Sequence, residues 1–98
     1  MYQKFIIAQD GILRFGHVYL HRDLLNFDER CEFGGGLWKL DEERNAILLY
    51  GRSFDFGQPD FSHIRRIEWA GIDGLPHLLF HAPNWPEEDV LVPIYTMY

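Results

Sequence analysis

The sequence predicts an α+β domain, in which a mixed or antiparallel sheet of about six strands carries one main helix. Two hairpin signals and one amphipathic segment predict this fold. Each hairpin joins two short apolar segments through a polar turn, and segment 61–70 repeats apolar residues at helical spacing. Hairpins combined with one helix are typical of a sheet covered on one face, so we expect residues 1–98 to form one such domain.

The first hairpin signal lies at the start of the chain. Segment 4–8 is short, apolar and rich in isoleucine, which favours a strand. Asp10-Gly11 is a turn dipeptide, and segment 12–21 then alternates loosely, as a second strand would. Segment 22–32 is expected to be irregular or a short helix that Asp23 caps.

The second hairpin signal is flanked by glycines. Segments 37–40 and 46–53 are predicted strands, and the polar residues between them end in Asn45, a residue type that tolerates the positive φ of a turn. Three glycines, 34–36, precede the hairpin, and Gly51 and Gly57 enclose its exit. Small residues at both ends let a ligand or another backbone approach closely.

The second half of the chain is expected to hold the helix and two further strands. Asp60 or Ser62 is a candidate N-cap for a helix over 61–70, since Phe61, Ile64 and Ile67 share one stripe. Segments 77–81 and 89–95 are predicted strands. Pro93 cannot donate to a ladder, so it indicates a sheet edge or a bulge.

The composition of the chain limits the classes of partner that we expect it to bind. The chain has 98 residues and a formal net charge of −6, which disfavours nucleic acid or an anionic membrane as partner. The single cysteine, Cys31, makes no internal disulfide. We find no signal-peptide pattern and no apolar run long enough to span a bilayer, so a cytoplasmic protein is expected. An exposed edge at 89–95 would allow two chains to pair as a homodimer.

One motif resembles a known family. Gly34-Gly35-Gly36, thirteen residues, and then a Tyr-Gly-x-Ser-x-x-aromatic-Gly run from Tyr50 to Gly57 resemble the hairpin of the phosphohistidine phosphatase (Janus/Ocnus) family. The resemblance implies a small phosphatase that needs no metal or cofactor and acts on a phosphorylated protein or a small phosphoramidate. Only twelve residues separate His21 from Gly34, so the chain is expected to be a shortened and divergent member.

The resemblance also implies a set of site residues. His21, within His21-Arg22-Asp23, corresponds to the catalytic histidine, and imidazole suits the role because it takes and gives protons near neutral pH. Lys4 and one arginine would hold the phosphate charge. Ser53 would donate its hydroxyl to a phosphate oxygen. The backbone N–H groups of Phe54 and Asp55 would add an anion-binding nest.

Two departures weaken catalysis. Leu37 stands where the family has an arginine, and leucine offers phosphate nothing, so Arg52, Arg22 or Arg14 would have to replace it. Asp55 places a carboxylate in the expected anion loop. These departures favour an alternative, which is a non-catalytic binding or protein-interaction module on the same scaffold.

Two further constellations carry weaker signals. The histidines could gather on facing strands to bind a divalent metal, but their spacing is no known ligand signature. Cys31 could pair with a histidine as a nucleophile, although nothing in the sequence fixes the partner. We therefore expect no metal site.

Overall fold

The protein is built on one curled sheet. The structure, a computed structural model, describes residues 2–69 and 78–94, and in these residues a seven-stranded sheet curls into a half-barrel. The strands are β1 (Tyr2–Ala8), β2 (Ile12–Val18), β3 (Gly35–Asp41), β4 (Ala46–Tyr50), β5 (Arg66–Trp69), β6 (Leu79–His81) and β7 (Val92–Pro93). Their order across the sheet is β5-β2-β1-β3-β4-β6-β7.

Both predicted hairpins are present. β1 and β2 pair antiparallel along their whole length, and the turn between them holds Asp10 at φ 64° and Gly11 at φ 76°. β3 and β4 pair antiparallel as well, and Asn45 adopts φ 50° in their loop. β1 pairs with β3, which joins the two hairpins into the centre of the sheet.

The predicted α+β fold with one main helix is wrong. Within the described residues the structure has no helix of seven or more residues. Segment 61–70 instead begins with a 3-10 turn, Phe61–His63, and continues as β5, which pairs parallel to β2. The spacing of Phe61, Ile64 and Ile67 led to a wrong prediction of a helix. Ile67 also faces the core in an extended chain, where it lies opposite Leu13. The free edge of β2 supplies backbone partners there, so tertiary context overrides the local pattern.

The remaining segments follow the sequence only in part. Segment 22–32 is irregular after a 3-10 turn at His21–Leu24, as the sequence allows. β7 is the last strand of the sheet, which agrees with the edge that Pro93 predicts, although it is shorter than segment 89–95. Residues 70–77 and 95–98 lie outside the described residues. The predicted end of the helix 61–70, the start of the strand 77–81 and the end of the strand 89–95 fall on them.

The sheet buries a core on each face. Alternate residues of β1 separate the faces: Phe5 and Ile7 belong to the larger core with Phe15 and Trp38, while Ile6 belongs to a smaller core. The smaller core includes Ala8 and Leu24, and Phe56 packs against it. The 3-10 turn at His21–Leu24 and the loop 53–57 therefore cover the same face of the sheet.

A buried ionic cluster holds the irregular segment to the sheet. Arg14 of β2 is 5% exposed and bonds to both carboxylate oxygens of Glu29. It also donates to the Leu24 carbonyl at 2.8 Å and to Glu68 of β5 at 2.9 Å. One arginine thus joins β2, β5 and the segment after the His21 turn. Arg14 therefore stabilises the fold. It does not replace the arginine that the resembled family has at the position of Leu37.

Candidate functional site

His21 lies over the glycine pair that begins β3. It is the first residue of its 3-10 turn and is 5% exposed. A side-chain Cβ on Gly35 would come within 3.3 Å of the His21 ring and would also collide with the Phe5 carbonyl oxygen. On Gly36, a Cβ would come within 2.5 Å of the Tyr50 carbonyl oxygen. Both positions thus need glycine for packing, without any ligand.

The imidazole of His21 is engaged by the backbone. Nε2 lies 2.8 Å from the Gly36 carbonyl oxygen. Because a carbonyl only accepts, Nε2 carries the proton and Nδ1 holds the lone pair in the neutral ring. Burial is the main cause that lowers the pKa of His21, and the Lys4 ammonium lowers it further, against the opposing effects of the Gly36 carbonyl and the Asp55 carboxylate. The ring is therefore neutral at neutral pH.

The hydroxyl of Ser53 is used inside its own loop. Ser53 is 2% exposed, and its Oγ accepts hydrogen bonds from the backbone N–H groups of Asp55 at 3.2 Å and Phe56 at 3.1 Å. Its backbone exchanges two hydrogen bonds with Gly57. The Asp55 amide that was expected in an anion nest is therefore already satisfied, and the serine stabilises the loop that presents Phe54 to solvent.

The other predicted residues divide between two places. Lys4 lies on β1 on the side of Ile6, with its ammonium 5.5 Å from the centre of the Tyr2 ring. Lys4 shares the face of Ile6 on β1, and both Leu24 of the His21 turn and Phe56 of the 53–57 loop pack on that face, so Lys4, His21 and Asp55 belong to one side of the sheet. Arg22 is exposed on the His21 turn. Arg52, in contrast, lines a cleft to which His21 does not contribute.

Arg52 lines a cleft on the surface of the described part of the chain. The cleft has a volume of about 480 Å³ and lies between the base of the 53–57 loop and β6. It is lined by Gly51, Arg52, Gln58, Pro59, His81 and Pro83. We call it the Arg52 cleft. Among the described residues, the Arg52 guanidinium has no hydrogen-bond or ion-pair partner, so its donors are free for a ligand.

His81 also lines the Arg52 cleft, but the sequence did not identify it as a candidate anion ligand. It ends β6 on the side of the larger core, opposite Leu49, and its ring lies 4.2 Å from that of Phe61. Burial lowers the pKa of His81, so the ring is neutral at neutral pH. The sequence predicts that His81 ends a strand. Its position in the same cleft as Arg52 depends on the parallel pairing of β4 with β6, which no sequence motif indicates.

The metal and thiol alternatives gain no support from the geometry. Within residues 2–69 and 78–94, no three histidine, cysteine or acidic side chains come together as metal ligands. Cys31 is half-buried, donates to the Gly34 carbonyl at 3.2 Å, and has a pKa raised mainly by burial. The thiol is therefore protonated at neutral pH, which suits packing better than nucleophilic attack.

None of the helices in the described residues is long and apolar enough to cross a membrane. Comparison with known proteins adds no relative, because no protein-family model, no curated protein and no solved structure matches this chain. The resemblance to phosphohistidine phosphatases thus rests on the two glycine-flanked motifs, and the phosphatase function stays a prediction.

Proposed function

We propose that this protein binds a phosphoryl group, or an anion of similar charge, in the Arg52 cleft and does not hydrolyse it. The observation that carries this proposal is the free guanidinium of Arg52 beside the His81 ring and the Gln58 amide in one cleft. A guanidinium offers a planar fork of donors that matches phosphate oxygens, and an amide adds a neutral donor.

Arg52 differs from the other unpaired arginines of the chain in its position in the Arg52 cleft. The net charge is −6, and Arg14, Arg44 and Arg66 each pair with at least one carboxylate. Arg22, Arg30 and Arg65 also lack a carboxylate partner among the described residues, but none of the three lines the cleft. Arg52 is therefore an exposed cation that lines a cleft and has no carboxylate partner among the described residues.

Binding without hydrolysis agrees with the hydrogen bonds of the predicted catalytic groups. Nε2 of His21 is bonded to the Gly36 carbonyl, and Oγ of Ser53 is bonded within its loop. Nε2–H of His21 cannot turn to a phosphate without leaving the Gly36 carbonyl unpaired, which costs about 1–3 kcal/mol, and the Ser53 hydroxyl is 2% exposed and so is not presented to solvent. Hydrolysis would need an arginine and the catalytic histidine at one site. Arg52, however, lines a cleft to which His21 does not contribute.

Calorimetric titration with inorganic phosphate tests the proposal. We expect Arg52→Ala to weaken binding at least about tenfold, because a charge-assisted hydrogen bond contributes roughly 1.5–3 kcal/mol. Arg30→Ala is the matched control, since it removes the same charge from an exposed arginine outside the cleft. Equal affinity in all three proteins, or an equal loss in both variants, would contradict the proposal.

A second candidate function is hydrolysis of phosphohistidine at His21. It is favoured by the Lys4 ammonium and the Asp55 carboxylate, which both act on the imidazole, and by the lone pair that its neutral ring keeps on Nδ1. Phosphorus NMR of phosphohistidine with wild type and His21→Gln separates the two functions. Glutamine can still donate to the Gly36 carbonyl, so this variant retains the packing contact. Turnover in wild type that disappears in His21→Gln would establish catalysis.

A further inference from the structure

We propose that two copies of this chain associate face to face through the surface formed by Tyr2, Lys4, Leu20, Phe54 and Asp55. We call it the Lys4 surface. It lies on the side of the sheet that His21 covers, so it is separate from the Arg52 cleft and from the edge strand β7. The proposal does not depend on anion binding.

The first support is the exposure of large apolar side chains. Tyr2 is 62% exposed, Leu20 is 41% exposed and Phe54 is 98% exposed. Neighbouring Tyr19 is 65% exposed. Single exposed apolar residues are ordinary, but several on one surface indicate an interaction site.

The second support is that these side chains share one surface. The Lys4 ammonium lies over the Tyr2 ring. The 53–57 loop lies beside β1, because the Gly57 carbonyl accepts from the Gly35 amide opposite Ile6 and Phe56 packs against the core of Ile6. Leu20 directly precedes His21, and Phe54 directly precedes Asp55. Exposed aromatic and aliphatic groups, one positive charge and one negative charge thus lie on one side of the sheet.

The third support is the rigidity of the loop that carries Phe54. Oγ of Ser53 bonds two backbone amides of the loop, and Ser53 and Gly57 exchange two backbone hydrogen bonds. Phe56 packs downward against the smaller core. Phe54 is therefore held out to solvent by a fixed loop, and binding loses little conformational entropy there.

The charges favour a second copy of the chain as the occupant. Among the described residues, neither Lys4 nor Asp55 forms an ion pair. In a two-fold symmetric interface, Lys4 of one copy can face Asp55 of the other, and the same pair forms twice. The Lys4 surface is locally neutral in a chain of net charge −6, so two copies meet there with less repulsion than elsewhere.

Sedimentation velocity at increasing protein concentration tests the dimer. We expect wild type to form a dimer, and we expect Lys4→Glu and Asp55→Lys each to shift the equilibrium to monomer by placing like charges together. The double variant, with both charges exchanged, should form the dimer again. A wild type that stays monomeric up to about 1 mM would overturn the proposal.

Matched phenylalanine variants locate the interface. Phe54→Ser should give monomer, whereas Phe27→Ser should keep the dimer, because Phe27 is 95% exposed but lies on a different segment. A dimer that persists in Phe54→Ser, or a double charge exchange that fails to restore association, would overturn the assignment to the Lys4 surface. Far-ultraviolet circular dichroism verifies that each variant is folded.

Discussion

Hydrogen bonds decide what His21 and Ser53 are able to do. The resemblance identifies His21 as the candidate catalytic residue and Ser53 as a candidate phosphate ligand, since residue type and spacing fit the resembled family. It does not show that Nε2 of His21 already donates to the Gly36 carbonyl, or that Oγ of the buried Ser53 already accepts from the Asp55 amide. These partners come from strand pairing and from a five-residue loop, so the availability of a donor is a tertiary property that the sequence does not display.

Arg52 and His81 show the opposite case. Arg52 was a candidate from its motif, but His81 joins it only because β6 lies beside β4. No motif spacing relates the two residues, which are separated by the whole β5 region. The sequence therefore predicted one half of the candidate anion site.

The affinity of the Arg52 cleft for sulfate should rise as the pH falls. Burial lowers the pKa of His81 below its ordinary value of 6.5, so the ring is neutral at neutral pH. A bound anion favours the protonated ring, and acid therefore adds a second positive charge beside Arg52. Sulfate keeps its charge over this range, so titration at about pH 7.5 and about pH 5.5 reports on the protein.

The control for this prediction is His81→Gln, which should bind sulfate with the same affinity at both pH values. An affinity in wild type that is independent of pH, or a dependence that survives in His81→Gln, would show that His81 does not contact the anion.

At the scale of elements, the strands of the hairpins were predictable and β5 was not. β1 to β4 carry apolar residues at strand spacing next to recognisable turns, and Asp10, Gly11 and Asn45 adopt the positive φ that their residue types allow. In 66–69, Ile67 fits a helix stripe and a strand equally well. The pairing of Glu68 with Arg14 of β2 is compatible only with the extended form.

The Arg14 cluster makes a prediction about element packing. Glu29→Gln should lower the free energy of unfolding by about 2 kcal/mol, because it removes the charge from a bond to a buried arginine. Glu32→Gln is the matched control, since Glu32 is exposed and the same change there should alter stability little. Urea unfolding followed by tryptophan fluorescence measures both. Equal stability of the two variants would mean that the cluster does not hold the segment to the sheet.

At the scale of the whole molecule, the curled sheet separates candidate site residues that the sequence placed together. One side carries His21, Lys4 and Asp55 above the smaller core, and the other carries His81 beside the larger core. The 53–57 loop reaches both, because Phe56 packs on the first side while Arg52 and Gln58, next to the loop, line the cleft. The motif from Tyr50 to Gly57 therefore contributes residues to both sides of the sheet.

The most direct test of the anion site is a titration of the nitrogen-15-labelled protein with inorganic phosphate, followed through its backbone amides. We predict saturable shifts at Gly51, Arg52, Gln58 and His81, with the amides of Lys4 and His21 unchanged. Shifts centred on His21 and Lys4, or no saturable shift at any amide, would contradict the account.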